Sequence, residues 1–222
     1  MILNIKRATV IVPHPDDETL GVGGTLLKFK KIGIQTSCIV ASGHLPPLYK
    51  IEDYLTTENE SKKAFKKYGI KKYEFLKLPA TTLNQFPFYK LNKMILSHLM
   101  SFKPDLVFIP FPDRHIDHKI MFESSMVVTR PTGKHYPKIV LAYETLSETH
   151  WNAPGIEPVF SPNLFINIDK FIDDKIKIMS IYKSQLDKYS RSQQPLKSLA
   201  NFRGSQNGCK YAEAFQVIRF LS

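Results

Sequence analysis

The sequence predicts an α/β protein, a doubly wound and mostly parallel sheet with helices on both faces, built as a single domain over residues 1–222. Three observations predict it. Short apolar runs alternate with helical patterns along the first two thirds of the chain. Strand candidates such as ATVIV and DLVFIP are apolar throughout, as strands covered on both faces are. The chain has 222 residues, 43% of them hydrophobic, which suits one sizeable core.

Each element follows from its own pattern. ATVIVP (8–13) reads as a fully buried first strand. TLLKFKKIG (25–33) reads as a helix closed by Gly33, since glycine takes the left-handed backbone after a helix end. QTSCIVAS (35–42) is the second strand, and LTTENESKKAFKKYGI (55–70) a helix that stops at Gly69. YEFLKL (73–78) is the third strand. The helix FYKLNKMILSHLMSFK (88–103) carries Leu91, Ile95, Leu99 and Phe102 on one face. DLVFIP (105–110) is the fourth strand, DHKIMFESSMVVT (117–129) a helix, and KIVLAYE (138–144) the fifth strand. NLFINI (163–168) fits a sixth strand and DKFIDDKIKIMSIYKSQ (169–185) a long helix, before a mixed C-terminal segment.

Composition narrows the function classes. The formal net charge is +11, with lysines concentrated in helical stretches such as KFKK (28–31) and KKAFKK (62–67). Such runs read first as solvated faces, and second as a bias towards an anionic partner. No nucleic-acid-binding signature is present. Cys38 and Cys209 are far apart, which fits free thiols in a reducing cytoplasm. No apolar run reaches the ~18 residues of a membrane span. The N-terminus reads directly into a strand, without the ordered regions of a signal peptide.

Ligands of a parallel sheet bind beyond the carboxyl ends of its strands. Two polar clusters belong there. PHPDDE (13–18) leaves the first strand and FPDRHIDH (111–118) leaves the fourth. His14 and Asp17 can reach one cation from a turn, and zinc accepts such nitrogen and oxygen donors. The second cluster offers Asp113, His115, Asp117 and His118. His14, Asp17 and His118 form a candidate metal triad, with Asp16 beside it as a base. His115 with Asp117 makes a second unit, whose carboxylate would favour a protonated ring able to stabilise an oxyanion or to protonate a leaving amine. Gly21, Gly23 and Gly24 miss the dinucleotide-binding pattern and suit close packing instead.

These residues resemble the PIG-L (LmbE-like) N-acetylglucosaminyl deacetylase family, in PHPDDE and, about a hundred residues later, RHIDH. YKSQ (182–185), RS (191–192), FRG (202–204) and AEAF (212–215) resemble the family's C-terminal landmarks, so the likeness spans the chain. The resemblance implies a Rossmann-like fold and a zinc-dependent hydrolase that removes acetyl from an N-acetylated amino sugar. It implies His14, Asp17 and His118 as ligands, Asp16 as general base, and His115 oriented by Asp117. Iron(II) or cobalt(II) could take the place of zinc, and a homo-oligomer is open on the same ground. Three stretches depart from the family. The helix at 55–70 begins TTENES without an arginine, YSRS replaces HPRS, and SGHLPPLYK replaces an acidic, glycine-rich turn.

Arg191 and Arg203 are candidate contacts to a substrate phosphate or hydroxyl, and Tyr143, Glu144, Trp151 and Asn152 candidate pocket residues. Glu213 is a candidate brace for the site. The expected substrate is a small-molecule or glycan amino sugar attached to something anionic, such as a nucleotide diphosphate, with inositol-linked, lipid-linked and free-oligosaccharide sugars also open. Two alternatives stay open: an amidase acting on another amide, such as a thiol conjugate, and a non-catalytic module for an anionic ligand.

Overall fold

A computed structural model describes residues 5–221. Strands β1 (Arg7–Val12), β2 (Gln35–Gly43), β3 (Lys72–Pro79), β4 (Leu106–Pro110) and β5 (Ile139–Tyr143) pair in parallel. β6 (Leu164–Asn167) and β7 (Ala212–Phe220) complete a seven-stranded sheet of order β3-β2-β1-β4-β5-β7-β6, with β7 antiparallel to both neighbours. The helices are α1 (Asp17–Lys31), α2 (Ile51–Tyr68), α3 (Phe88–Phe102), α4 (Ile116–Val128), α5 (Ile172–Met179) and α6 (Gln193–Ser205). The architecture is the expected doubly wound, Rossmann-like one. Among the described residues no helix is long and apolar enough to cross a membrane.

Alternation along each strand builds two cores. Val10 and Val12 of β1 join Leu26, Phe65, Phe108 and Phe215 on one face. Ile11, one residue between them, joins Ile39, Leu91, Ile95, Val107 and Met121 on the other. Gly33 and Gly69 adopt φ of 81° and 77° at the ends of α1 and α2, the left-handed conformation read from the sequence.

Three elements differ from their sequence reading. α1 starts at Asp17 instead of residue 25, so Gly21, Gly23 and Gly24 lie inside a helix. Their poor helix propensity is overridden by close packing: a Cβ on Gly24 would stand 2.8 Å from Ile168, and one on Gly21 would enter the Tyr143 ring. The helix expected over 169–185 ends at Met179, and residues 180–192 return over the rim as a connection. The C-terminal segment forms α6 and then β7, inserted between β5 and β6. That insertion is a long-range pairing without a local signal.

β1 and β4 are neighbours, with Val10 opposite Phe108. The segments that leave them, residues 13–16 and 111–115, therefore lie side by side. Sheet order alone brings the two polar clusters together.

Candidate metal centre and active site

Asp17, in the first turn of α1, turns back to accept the His14 N–H at 2.9 Å. Its Oδ2 lies 3.4 Å from His14 Nδ1 and 3.6 Å from His118 Nε2. Donors placed tetrahedrally about 2.1 Å from a zinc ion stand about 3.4 Å apart. One ligand atom from each of His14, His115 and His118 also lies within 4.8 Å of the others. His118 Nε2 is buried and has no hydrogen-bond partner, a costly arrangement for a polar atom without a ligand.

The outward nitrogens of two rings are held by carboxylates. His14 Nε2 is 2.9 Å from Asp117 Oδ2, and His118 Nδ1 is 2.9 Å from Asp113 Oδ2. Such pairs orient metal-binding imidazoles and raise their basicity. Burial works against charge on both rings, and their carboxylate partners outweigh it. Asp117 and Asp17 lift His14 to a pKa of about 9, and Asp17 and Asp113 lift His118 to about 10. Burial likewise opposes charge on Asp17, but His118 and His14 hold its pKa well below the usual carboxylate range. Two imidazoles, one of them with an orphaned inward nitrogen, and a carboxylate fit a divalent metal.

The expected pairing of Asp117 with His115 takes a different form. His115 is the N-cap of α4, and its Nδ1 accepts the Asp117 backbone N–H at 3.1 Å. The Asp117 carboxylate points the other way, to Thr81 N–H (2.6 Å), Leu83 N–H (3.3 Å) and His14. An Nδ1 that accepts places the ring proton on Nε2. Burial, then the neighbouring His14 and His118, push the His115 pKa down to about 4. The carboxylate expected to favour a protonated His115 ring is turned away from it, towards Thr81, Leu83 and His14.

Asp16 occupies the N-cap position of α1 at φ 101°, yet its side chain makes no capping bond. Such backbone costs about 1–3 kcal/mol and is held by the surroundings. The carboxylate is 1% exposed and lies 3.4 Å from Arg191 Nη1. Burial raises its pKa well above the usual range, and Arg191 only partly offsets this. Arg191 also approaches Glu148 at 3.6 Å and Ser147 Oγ at 3.4 Å. A cavity of about 130 Å³ opens here, lined by His14, His115, His44, Tyr49, Glu148 and Arg191 among others. A larger groove of about 920 Å³, lined by α5, α6 and Tyr211, shares none of these residues.

Arg191 is the one substrate-contact candidate that lines this cavity. The Arg203 fork is taken by Glu144, at 2.8 and 2.6 Å. Tyr143 is fully buried and donates its hydroxyl to Ile11 O at 3.0 Å. Trp151 is 56% exposed and does not line the cavity. Asn152 accepts the Arg114 N–H at 2.7 Å and so ties two loops of the rim. Glu213 binds the N–H groups of Gly24 and Thr25 and the Lys175 ammonium, so it braces the middle of α1, away from the ligands. Sequence reasoning missed Arg114 and Glu148, which pair at 3.2 Å. Their place just beyond β4 and β5 was the available signal.

Residues 9–129 match the PIG-L family, described as GlcNAc-PI de-N-acetylase. A diacetylchitobiose deacetylase of Thermococcus kodakarensis is 24% identical over 238 residues, covering 97% of this chain and 84% of that protein. The A40926 pseudoaglycone deacetylase Dbv21 superposes with a TM-score of 0.79 at 20% identity, over 99% of this chain and all of that one. GalB, a 4-carboxy-2-hydroxymuconate hydratase of Pseudomonas putida KT2440, gives a TM-score of 0.77 at 15% identity, over 96% of each chain. A hydratase among these likenesses means that the fold does not select the reaction.

Proposed function

The chain belongs to the PIG-L family, and from that premise we propose that it is a metal-dependent N-deacetylase, working as one catalytic domain. It removes acetyl from an N-acetylated amino sugar and releases acetate and a free amine. The carrying observation is the convergence of His14 Nδ1 and the orphaned His118 Nε2 on Asp17 Oδ2. The deacetylase relative from Thermococcus kodakarensis, matched along nearly the whole chain, supports the substrate class.

His14, Asp17 and His118 would hold the metal, with zinc preferred and iron(II) or cobalt(II) as alternatives. When bound it supplies Lewis-acid polarisation of the amide carbonyl and of the attacking water. Asp16, whose carboxylate lies 3.4 Å from the Arg191 guanidinium, takes the water proton. The same proton then goes to the nitrogen as the C–N bond breaks. His115 donates from Nε2 to the developing oxyanion, a role that needs its neutral Nε2–H tautomer. Asp117 and Asp113 keep the two ligand imidazoles in place. The free thiols of Cys38 and Cys209 support a reducing compartment such as the cytoplasm.

The test is acetate release from a panel of N-acetylhexosamines, with and without added zinc, beside Asp16→Asn. Zinc-dependent release that disappears in the variant is expected. No release from any sugar, with stoichiometric metal bound, would remove the amino-sugar assignment.

A further inference from the structure

We infer that the cavity beside His14 and His115 receives an uncharged, hydroxyl-bearing part of the substrate, and that Glu148 is the residue that enforces this choice. The inference rests on the site reading above and adds a specificity that the family assignment does not contain.

The lysine runs of α1 and α2 do not line this cavity. Lys28, Lys30 and Lys31 lie in the last turn of α1, and Lys66 and Lys67 in the last turn of α2. Both helices run back from the catalytic rim, so these turns lie at the opposite edge of the sheet. Among the described residues lining the cavity, Arg191 is the one arginine or lysine. Its guanidinium is already shared between Asp16 at 3.4 Å and Glu148 at 3.6 Å. Arg114, outside the lining, is also committed to Glu148, at 3.2 Å.

Negative charge is plentiful by comparison. Glu148 stands in the wall, 8% exposed, and Asp16, Asp17 and Asp117 are buried against Arg191 and His14 of the same lining. Apart from the metal that the site would hold, a phosphate or carboxylate entering the cavity would find no uncommitted cation and would face Glu148. Like charges placed together in this way are strongly disfavoured. A hydroxyl meets the opposite situation. Glu148 offers acceptor lone pairs to a hydroxyl hydrogen, which a carboxylate or a phosphate dianion does not carry. Specificity here comes as much from what the wall repels as from what it binds.

Glu148→Gln keeps the shape, removes the charge and frees Arg191. Two measurements test the inference. Inorganic phosphate is titrated into the metal-free wild type and variant, followed by calorimetry. Zinc-loaded protein is assayed on N-acetylglucosamine and N-acetylglucosamine 6-phosphate. Phosphate should bind the variant at least about tenfold more tightly, an effect of one removed like charge. The kcat/KM preference for the neutral sugar should fall by a similar factor, and Glu148→Ala should act in the same direction. Equal phosphate affinity in wild type and variants, or a wild-type preference for the phosphorylated sugar, would overturn the inference. Tighter phosphate binding by the variant without turnover of either sugar would uphold it and remove the deacetylase assignment instead.

Discussion

The carboxylate of Asp117 holds His14, with Oδ2 2.9 Å from Nε2, and leaves His115 to the Asp117 backbone N–H. Two residues apart in the chain, the Asp117 carboxylate and the His115 ring therefore have different partners. Asp117→Asn should weaken metal binding by roughly 10- to 100-fold, the usual cost of losing such a support. Competition with a metal chelator measures this. Unchanged metal affinity with a lowered kcat would return Asp117 to the role of orienting His115.

His115 and His118 should separate cleanly when each is replaced by alanine. His118→Ala should lose stoichiometric metal, because its Nε2 faces Asp17 and has no other partner. His115→Ala should keep the metal and lose roughly 10²- to 10³-fold in kcat, as expected for an oxyanion donor. Metal analysis beside steady-state kinetics decides both. Metal retained by His118→Ala would show that the ligand set is wrong.

Gly21→Ala sets two effects against each other. Alanine is favoured over glycine in a helix by about 1 kcal/mol. The new Cβ, however, would overlap the ring of Tyr143, which is fully buried and anchored through its hydroxyl to Ile11 O. Overpacking should win, with a net loss of about 1–3 kcal/mol in chemical unfolding. Gly33→Ala meets no neighbour within 4 Å, and its cost should come from its φ of 81° alone.

Glu144 and Arg203 should shape the acid side of the stability profile. Burial raises the Glu144 pKa, but the Arg203 hydrogen bonds and then His150 outweigh it and hold it below the ordinary value. A carboxyl depressed in the folded state contributes stability above its unfolded pKa of about 4.3. That contribution is lost as pH falls through the folded value. Glu144→Gln should therefore flatten unfolding free energy against pH below about pH 4.5. Arg203→Met should cost roughly 3 kcal/mol at neutral pH, by leaving the buried Glu144 with His150 alone as its partner. An unaltered acid limb in Glu144→Gln would sink this account.

The amino-acid sequence by itself determined the order and type of most elements, the carboxyl-end placement of both polar clusters and the residue types that could hold a metal. These are local properties. Apolar runs such as ATVIV mark buried strands, the spacing of Leu91, Ile95 and Leu99 marks one helix face, and Gly33 and Gly69 mark helix ends wherever the chain goes next. Tertiary structure decided which groups meet. Nothing local says that the Asp117 carboxylate would reach back 103 residues to His14, that Glu144 would claim the Arg203 fork, or that Arg191 would cross to Asp16. The early start of α1 was hidden for the same reason. Three glycines read as a loop until Tyr143 and Ile168, distant in sequence, supply the neighbours that make their bare backbone a packing surface. Periodicity travels with the chain, whereas the partner of a charged side chain depends on which segments the fold brings within about 3 Å of it.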